Sequence, residues 1–328
     1  MKLLDDYQSF RNILDVSVEP KFTLKLKDSY WVMLKSRNEV VEGKLFLPTK
    51  KLAKLVIFEP GFPGGGSTQF ENIWLKKLLK DGFSVFLARH NGTIINGKYS
   101  NGYLNCPERQ KLSKSIGYEV LGNKKINTLS DWLIEPLVAL DVLSPYFSQI
   151  TLCGHSFGPL ALIYSLIKFA KKNPKMTKKV HRIVSLSGSI GIIRSEKDPI
   201  LKIWYDHLNT KWARDRVKIG DARKSTSIFK KAHIDINKNA SKIPKKIDFV
   251  GVSPMGDTQK SFDEIVHPLE TIDFITSLGR GYFIVDKNEW GDKKTGRMAH
   301  DMEALSDDML LKLVSTDWLP NNQISVID

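Results

Sequence analysis

The sequence predicts an α/β chain: a mostly parallel sheet, antiparallel at its N-terminal edge, with helices on both faces and one helical cap insertion. Three observations predict it. From residue 54 onward, short apolar runs rich in β-branched residues alternate with longer segments of helical spacing, the pattern of repeated strand–helix units. Near the N-terminus, three β-prone runs are separated only by tight polar breaks, which suit antiparallel pairing and leave no room for crossover helices. Between two later strands lies a long stretch with apolar clusters and no clear strand. At 328 residues, 41% hydrophobic and 26% charged, the chain can bury a large single core.

In order, residues 22–27, 30–36 and 40–47 are the antiparallel edge strands. Residues 54–59, Lys-Leu-Val-Ile-Phe-Glu, form the first continuous apolar run of a buried parallel strand. It ends in Pro60-Gly61-Phe62-Pro63-Gly64-Gly65-Gly66. A helix is predicted over 68–80, with Ile73, Trp74, Leu75, Leu78 and Leu79 on its apolar face, and a strand over 83–88. Residues 91–127 are polar and rich in Gly, Asn and Lys, and ordered loops of that length are often functional. Helical spacing covers 129–147, with Ser130 or Asp131 near its start and Pro136 as a candidate kink. Strands follow at 149–153, 181–186, 247–252 and, as the last one, 281–285; helices are predicted over 159–169, 261–278 and 306–314. The expected organisation is a core of residues 1–189 and 247–328, interrupted by a cap of residues 190–246.

The strand at 149–153 runs into Gly154-His155-Ser156-Phe157-Gly158, and a helix leaves at once. A turn that sharp forces its central residue out of the common backbone regions, and the flanking glycines remove the Cβ atoms that would clash. It presents a serine hydroxyl at the end of a strand. This strand–turn–helix, with its G-x-S-x-G pattern, resembles the nucleophile elbow of the α/β-hydrolase superfamily, and the order of strands and helices extends the resemblance across nearly the whole chain. The resemblance implies a triad in the chain order Ser, acid, His. His300 is the one histidine after the last predicted strand, and Asp257 is the first carboxylate in the turn after the strand at 247–252; Asp263 and Glu264 are its rivals. It also implies an oxyanion hole from the backbone N–H groups of Phe157 and Phe62. The Pro60–Gly64 segment is similar to the family's His-Gly-Phe-Pro-Gly loop, with Pro60 replacing the histidine that usually buttresses it.

The function expected is hydrolysis of a carboxylic ester, thioester or amide through an acyl-enzyme on Ser156. Acyl transfer would use the same triad, and a non-catalytic binding protein of the same fold is the reading from another class. A net charge of +14 raises nucleic-acid binding, but no basic stretch is interleaved with aromatics in a recognition motif, so a solvated lysine surface is expected. Residues 190–246 hold fifteen Lys/Arg against six Asp/Glu, a net of +9. Trp204 and Trp212 there are candidates for lining an acyl pocket, with the charge favouring an anionic substrate. No cofactor or metal is expected: no two histidines lie closer than 26 positions, and the triple glycine lacks a following Gly-Lys-Ser/Thr. There is no apolar run of a secretion signal or a membrane span, and Cys106 and Cys153 make no disulfide framework, so the cytoplasm is the expected compartment.

Overall fold

The computed structural model describes residues 24–25, 30–37, 39–48, 53–64, 74–90, 92–93, 128–188, 190–193, 195, 197–254, 262–286 and 305–327. Ten strands form one sheet: β1 (Leu24–Lys25), β2 (Tyr30–Ser36), β3 (Glu39–Phe46), β4 (Lys54–Glu59), β5 (Phe83–Arg89), β6 (Gln149–His155), β7 (Val180–Leu186), β8 (Asp248–Pro254), β9 (Tyr282–Asp286) and β10 (Ile324–Ile327). Their spatial order is β1-β2-β3-β5-β4-β6-β7-β8-β9-β10. The first three strands pair antiparallel, β3 meets β5 antiparallel, and every pairing from β5 through β4 to β10 is parallel. The chain order reverses between β5 and β4, so β4 and β6 are neighbours and residues 54–59 lie in register with residues 149–154.

The helices are α1 (Leu75–Lys80), α2 (Glu135–Leu143), α3 (Gly158–Lys172), α4 (Pro174–Thr177), α5 (Pro199–Asn209), α6 (Lys211–Arg214), α7 (Ala222–Asn239), α8 (Phe262–Leu278) and α9 (Asp307–Val314). Side chains alternate across the buried strands. Leu55, Ile57, Ile150 and Leu152 point to a core shared with α2 and α3, whereas Val56, Phe58, Cys153 and Val184 point to a second core under α1 and α9. Residues 190–246 share the first of these cores: Trp204, Leu208, Phe229 and Ile236 are buried in the same cluster as Leu160 and Ile163 of α3. On β7 the buried Arg182 donates to the carbonyls of Leu313 at 3.1 Å and Trp318 at 2.7 Å, tying down the end of α9 with donors its last carbonyls otherwise lack.

Two expectations need correction. The helical spacing read over 129–147 resolves into turns up to residue 134, a helix from Glu135 and a short 3-10 turn at Ser144–Tyr146. Pro136 sits in the first turn of α2 rather than kinking a longer helix, because proline lacks only an N–H that has no intrahelical partner there. Residues 281–285 are also not the last strand: β10 adds to β9 in parallel, and four residues, Ile-Ser-Val-Ile, give too short a period to be legible.

Candidate active site

The turn at residue 156 has the conformation its glycines imply. Ser156 lies at φ 55° between β6 and α3, in the left-handed region that non-glycine residues seldom occupy. Its N–H donates to Leu186 O at 3.0 Å, and the residue is 8% exposed. Gly158 opens α3 against β4, where a Cβ would stand 2.1 Å from the Glu59 carbonyl oxygen. A backbone oxygen inside a sheet cannot rotate away. Gly158→Ala is therefore expected to cost about 2–3 kcal/mol of unfolding free energy, at the upper end for overpacking; an unfolding free energy from urea titration within about 0.5 kcal/mol of wild type would contradict the close approach.

The loop after β4 closes on the serine from the other side. At Gly61 a Cβ would lie 2.5 Å from Ser156 Cβ and 3.2 Å from its Oγ, so only glycine fits against Ser156. The loop turns through a Gly64 N–H to Gly61 O bond of 2.7 Å. Phe62 follows Gly61, and Phe157 precedes the first residue of α3, at the positive end of the helix.

Pro60 leaves the loop without the histidine of the family pattern, yet the loop is held. His90, one residue beyond β5, sets Nε2 2.9 Å from Pro60 O, and its own N–H donates to Gly64 O at 3.1 Å. Thr93 Oγ1 donates to Pro63 O at 2.8 Å. The His90 ring stacks on Trp132 at 4.2 Å and 11°, and its Nδ1 lies 2.5 Å from Glu135 Oε2 and 3.4 Å from Glu59 Oε1. All three side chains of this Glu–His–Glu cluster are buried, and their donor atoms could together hold a metal ion. Neither carboxylate oxygen of Glu59 has a hydrogen-bond partner among the described residues. Burial, and then the neighbouring Glu135 charge, hold the Glu59 carboxyl well above the usual carboxylate range.

That shift predicts a pH dependence. Between the unfolded carboxyl value of about 4.3 and the raised folded value, the folded chain binds one more proton than the unfolded chain, so stability falls as pH rises. Glu59→Gln lacks this titration. Its melting temperature relative to wild type should climb from pH 5 to pH 8; a constant or shrinking difference would show Glu59 ionised in the fold.

An aromatic cluster covers the loop and the elbow. Phe62 packs against Trp132 (5.7 Å), Trp204 (6.5 Å), His207 (5.0 Å) and Trp212 (5.7 Å), and Trp204 also meets Phe157 at 5.7 Å and Phe229 at 4.8 Å. Trp204 is buried, whereas Trp212 is 43% exposed under the Arg216 guanidinium at 4.4 Å. Trp204 thus touches both residues read as the oxyanion hole, and Trp212 touches Phe62. Residues 217 and 218 are also joined to the loop after β5 by the Thr93–Val217 bridge and a Lys218 N–H to Gly92 O bond of 2.8 Å. A separate cleft of about 880 Å³ lies between α5 and α7, lined by Lys197, Lys202, Arg223, Lys230 and Lys231 with Asp198 as the one acid. None of the aromatic cluster lines it.

Asp257 and His300 lie outside the described residues. Asp263 and Glu264 fall in the backbone of α8, as expected from the spacing. Cys153 is a buried free cysteine whose thiol burial pushes far upward, a core residue rather than a nucleophile. The sequence reading missed four residues: Glu59, His90, Glu135 and Asp286, the last a buried carboxylate ending β9 in register with Pro254 of β8. A usable signal existed for three of them. Glu59, His90 and Asp286 each stand at or just beyond the carboxyl end of a parallel strand, the edge where open α/β sheets bind ligands.

The architecture is the α/β-hydrolase fold, and solved structures resemble it. A thermophilic, thermostable carboxylesterase cloned from a metagenomic library superposes with a TM-score of 0.50 at 10% identity, over 96% of this chain and 100% of that one. An esterase of Pyrobaculum calidifontis gives 0.48 at 10% identity, over 87% and 84% of the two chains. A monoacylglycerol lipase of Paleococcus ferrophilus gives 0.45 at 14%, over 75% and 87%. Likeness at such identities is likeness of fold. No family model matches the chain, and no curated protein does. Among the described residues, no helix is long and apolar enough to cross a membrane.

Proposed function

We propose that the chain is a serine hydrolase acting on a carboxylic ester. Ser156 Oγ attacks the acyl carbonyl while His300 takes its proton. His300 returns that proton to the leaving alkoxide, and water then releases the acyl group by the same steps in reverse roles. Asp257 orients the imidazole, and the N–H groups of Phe62 and Phe157 receive the oxyanion charge. The observation that carries this reading is the strained Ser156 backbone, at φ 55°, pressed against the glycine of the loop after β4. Strain of this kind persists where the surrounding structure enforces it, as at active sites. The carboxylesterase named above shares the fold and is consistent with the chemistry. The test is a panel of esters, thioesters and aminoacyl amides, each run with wild type and with Ser156→Ala. Ester turnover confined to wild type is the expected result; no turnover of any acyl compound would refute it.

In this reading residues 190–246 form a cap, and its tryptophans wall the acyl site. Trp204, packed on both Phe62 and Phe157, carries more of the wall than the half-exposed Trp212. Trp204→Ala should shift chain-length preference toward longer acyl groups, with a smaller shift for Trp212→Ala; unchanged preference in both would remove the tryptophans from the pocket. The basic cleft lies apart from this wall, so its charge acts by steering anionic substrates more than by contact. An anionic ester should then lose kcat/KM with added salt more steeply than a neutral ester of equal size. Equal responses would contradict steering.

A further inference from the structure

We propose that His90, clamped by Glu135, is the positioning residue of the oxyanion loop, replacing from the end of β5 the buttress that Pro60 cannot supply from within the loop. The proposal rests on the hydrolase reading of Ser156 and deepens it.

The argument begins with protons. A carbonyl oxygen only accepts, so the Nε2 facing Pro60 O at 2.9 Å carries a hydrogen and donates it. The other ring nitrogen is 2.5 Å from Glu135 Oε2, close enough for a hydrogen bond between the two side chains. Trp132 fixes the ring plane by stacking, so the imidazole has no second orientation with both partners. Glu59 approaches the same Nδ1 at 3.4 Å without a hydrogen bond. Glu135 is thus the carboxylate that hydrogen-bonds the ring, and Glu59 is not.

The geometry then leads outward. Pro60, whose carbonyl His90 holds, is two residues before Phe62. The His90 N–H holds Gly64 O, two residues after it. Phe62 N–H therefore sits midway between two anchors, both on one residue, while Gly61 leaves no slack against Ser156. A loop fixed in this way keeps its donor aimed before substrate arrives, and preorganisation is what makes such donors effective. Misplacing a reacting group by an ångström can cost about 100-fold in rate.

The experiment compares Glu135→Gln, Glu59→Gln and His90→Leu with wild type on the best ester of the panel. It measures kcat, KM, affinity for a trifluoromethyl ketone whose hemiketal oxyanion needs the same donors, and metal content by mass spectrometry. Glu135→Gln keeps the side-chain volume and removes the charge, so it informs even if His90→Leu fails to fold. It should lower kcat about 10- to 100-fold and weaken the ketone in step, with KM changed less than about threefold, the signature of an interaction made in the transition state. Its loss of kcat should exceed that of Glu59→Gln at least about tenfold, since only Glu135 hydrogen-bonds the His90 ring. A Glu135→Gln enzyme with wild-type kcat, or one losing KM and kcat alike, overturns the proposal. So does stoichiometric divalent metal in the wild type that falls away in Glu59→Gln, because the cluster would then be a metal site. A wild type without Ser156-dependent turnover overturns the hydrolase reading itself, a result distinct from either.

Discussion

Ser156→Ala is expected to lower kcat/KM for ester hydrolysis by about 10⁶-fold, the loss seen when a triad nucleophile is removed. The fold should survive it. Alanine and serine meet nearly the same penalty at φ 55°, so the strain of about 1–2 kcal/mol is common to both and cancels in the comparison. The N–H to Leu186 O bond belongs to the backbone and is retained. The substitution removes one hydroxyl from a residue that is 8% exposed, and its melting temperature should stay within a few degrees of wild type. Near-normal turnover with an intact fold would mean that the strained turn serves packing alone.

The second large effect concerns the groups that move the proton. His300→Ala should match Ser156→Ala to within about tenfold, because triad members act as a unit. His300 belongs to the chain segment between β9 and α9, and α9 is fixed by the four carbonyls that Arg182 holds, among them those of Ser315 and Trp318. The acid should be Asp257, following β8. Asp257→Asn is expected to cost about 10⁴-fold by stabilising the wrong imidazole tautomer, while Asp263→Asn, inside α8, stays within about tenfold. The decisive comparison adds Asp286→Asn, since that buried carboxylate ends the strand next to β8. A large loss in Asp263→Asn or Asp286→Asn, with Asp257→Asn mild, would move the acid to that residue.

The sheet was legible where one local signal dominated. Residues 30–36 and 54–59 match their strands to the residue, because each run is bounded by polar or Pro-Gly breaks that stop pairing sharply. Gly154, Ser156 and Gly158 told of the elbow because five consecutive residues set the whole geometry. Pro136 misled because the same residue type either breaks a helix or opens one, and only the burial of Glu135 and Val138 shows which. The Glu59–His90–Glu135 cluster could not be read at all. Its members are 31 and 45 positions apart; β4 and β5, parallel neighbours, bring Glu59 and His90 together, and Glu135 comes from α2. Pro60 in place of the histidine of the similar loop was plain in the sequence; the contact of His90, just beyond β5, with Pro60 O appears only in the tertiary structure.

The central claim is that Ser156 is an activated nucleophile, and a fluorophosphonate tests it most directly. The probe phosphonylates only a serine whose proton is taken and whose oxyanion is received. Wild-type protein should react stoichiometrically within minutes, with peptide mass spectrometry placing the adduct on Ser156, and Ser156→Ala should stay unlabelled. Wild-type protein that does not react, or an adduct mapped to any other residue, would contradict the account.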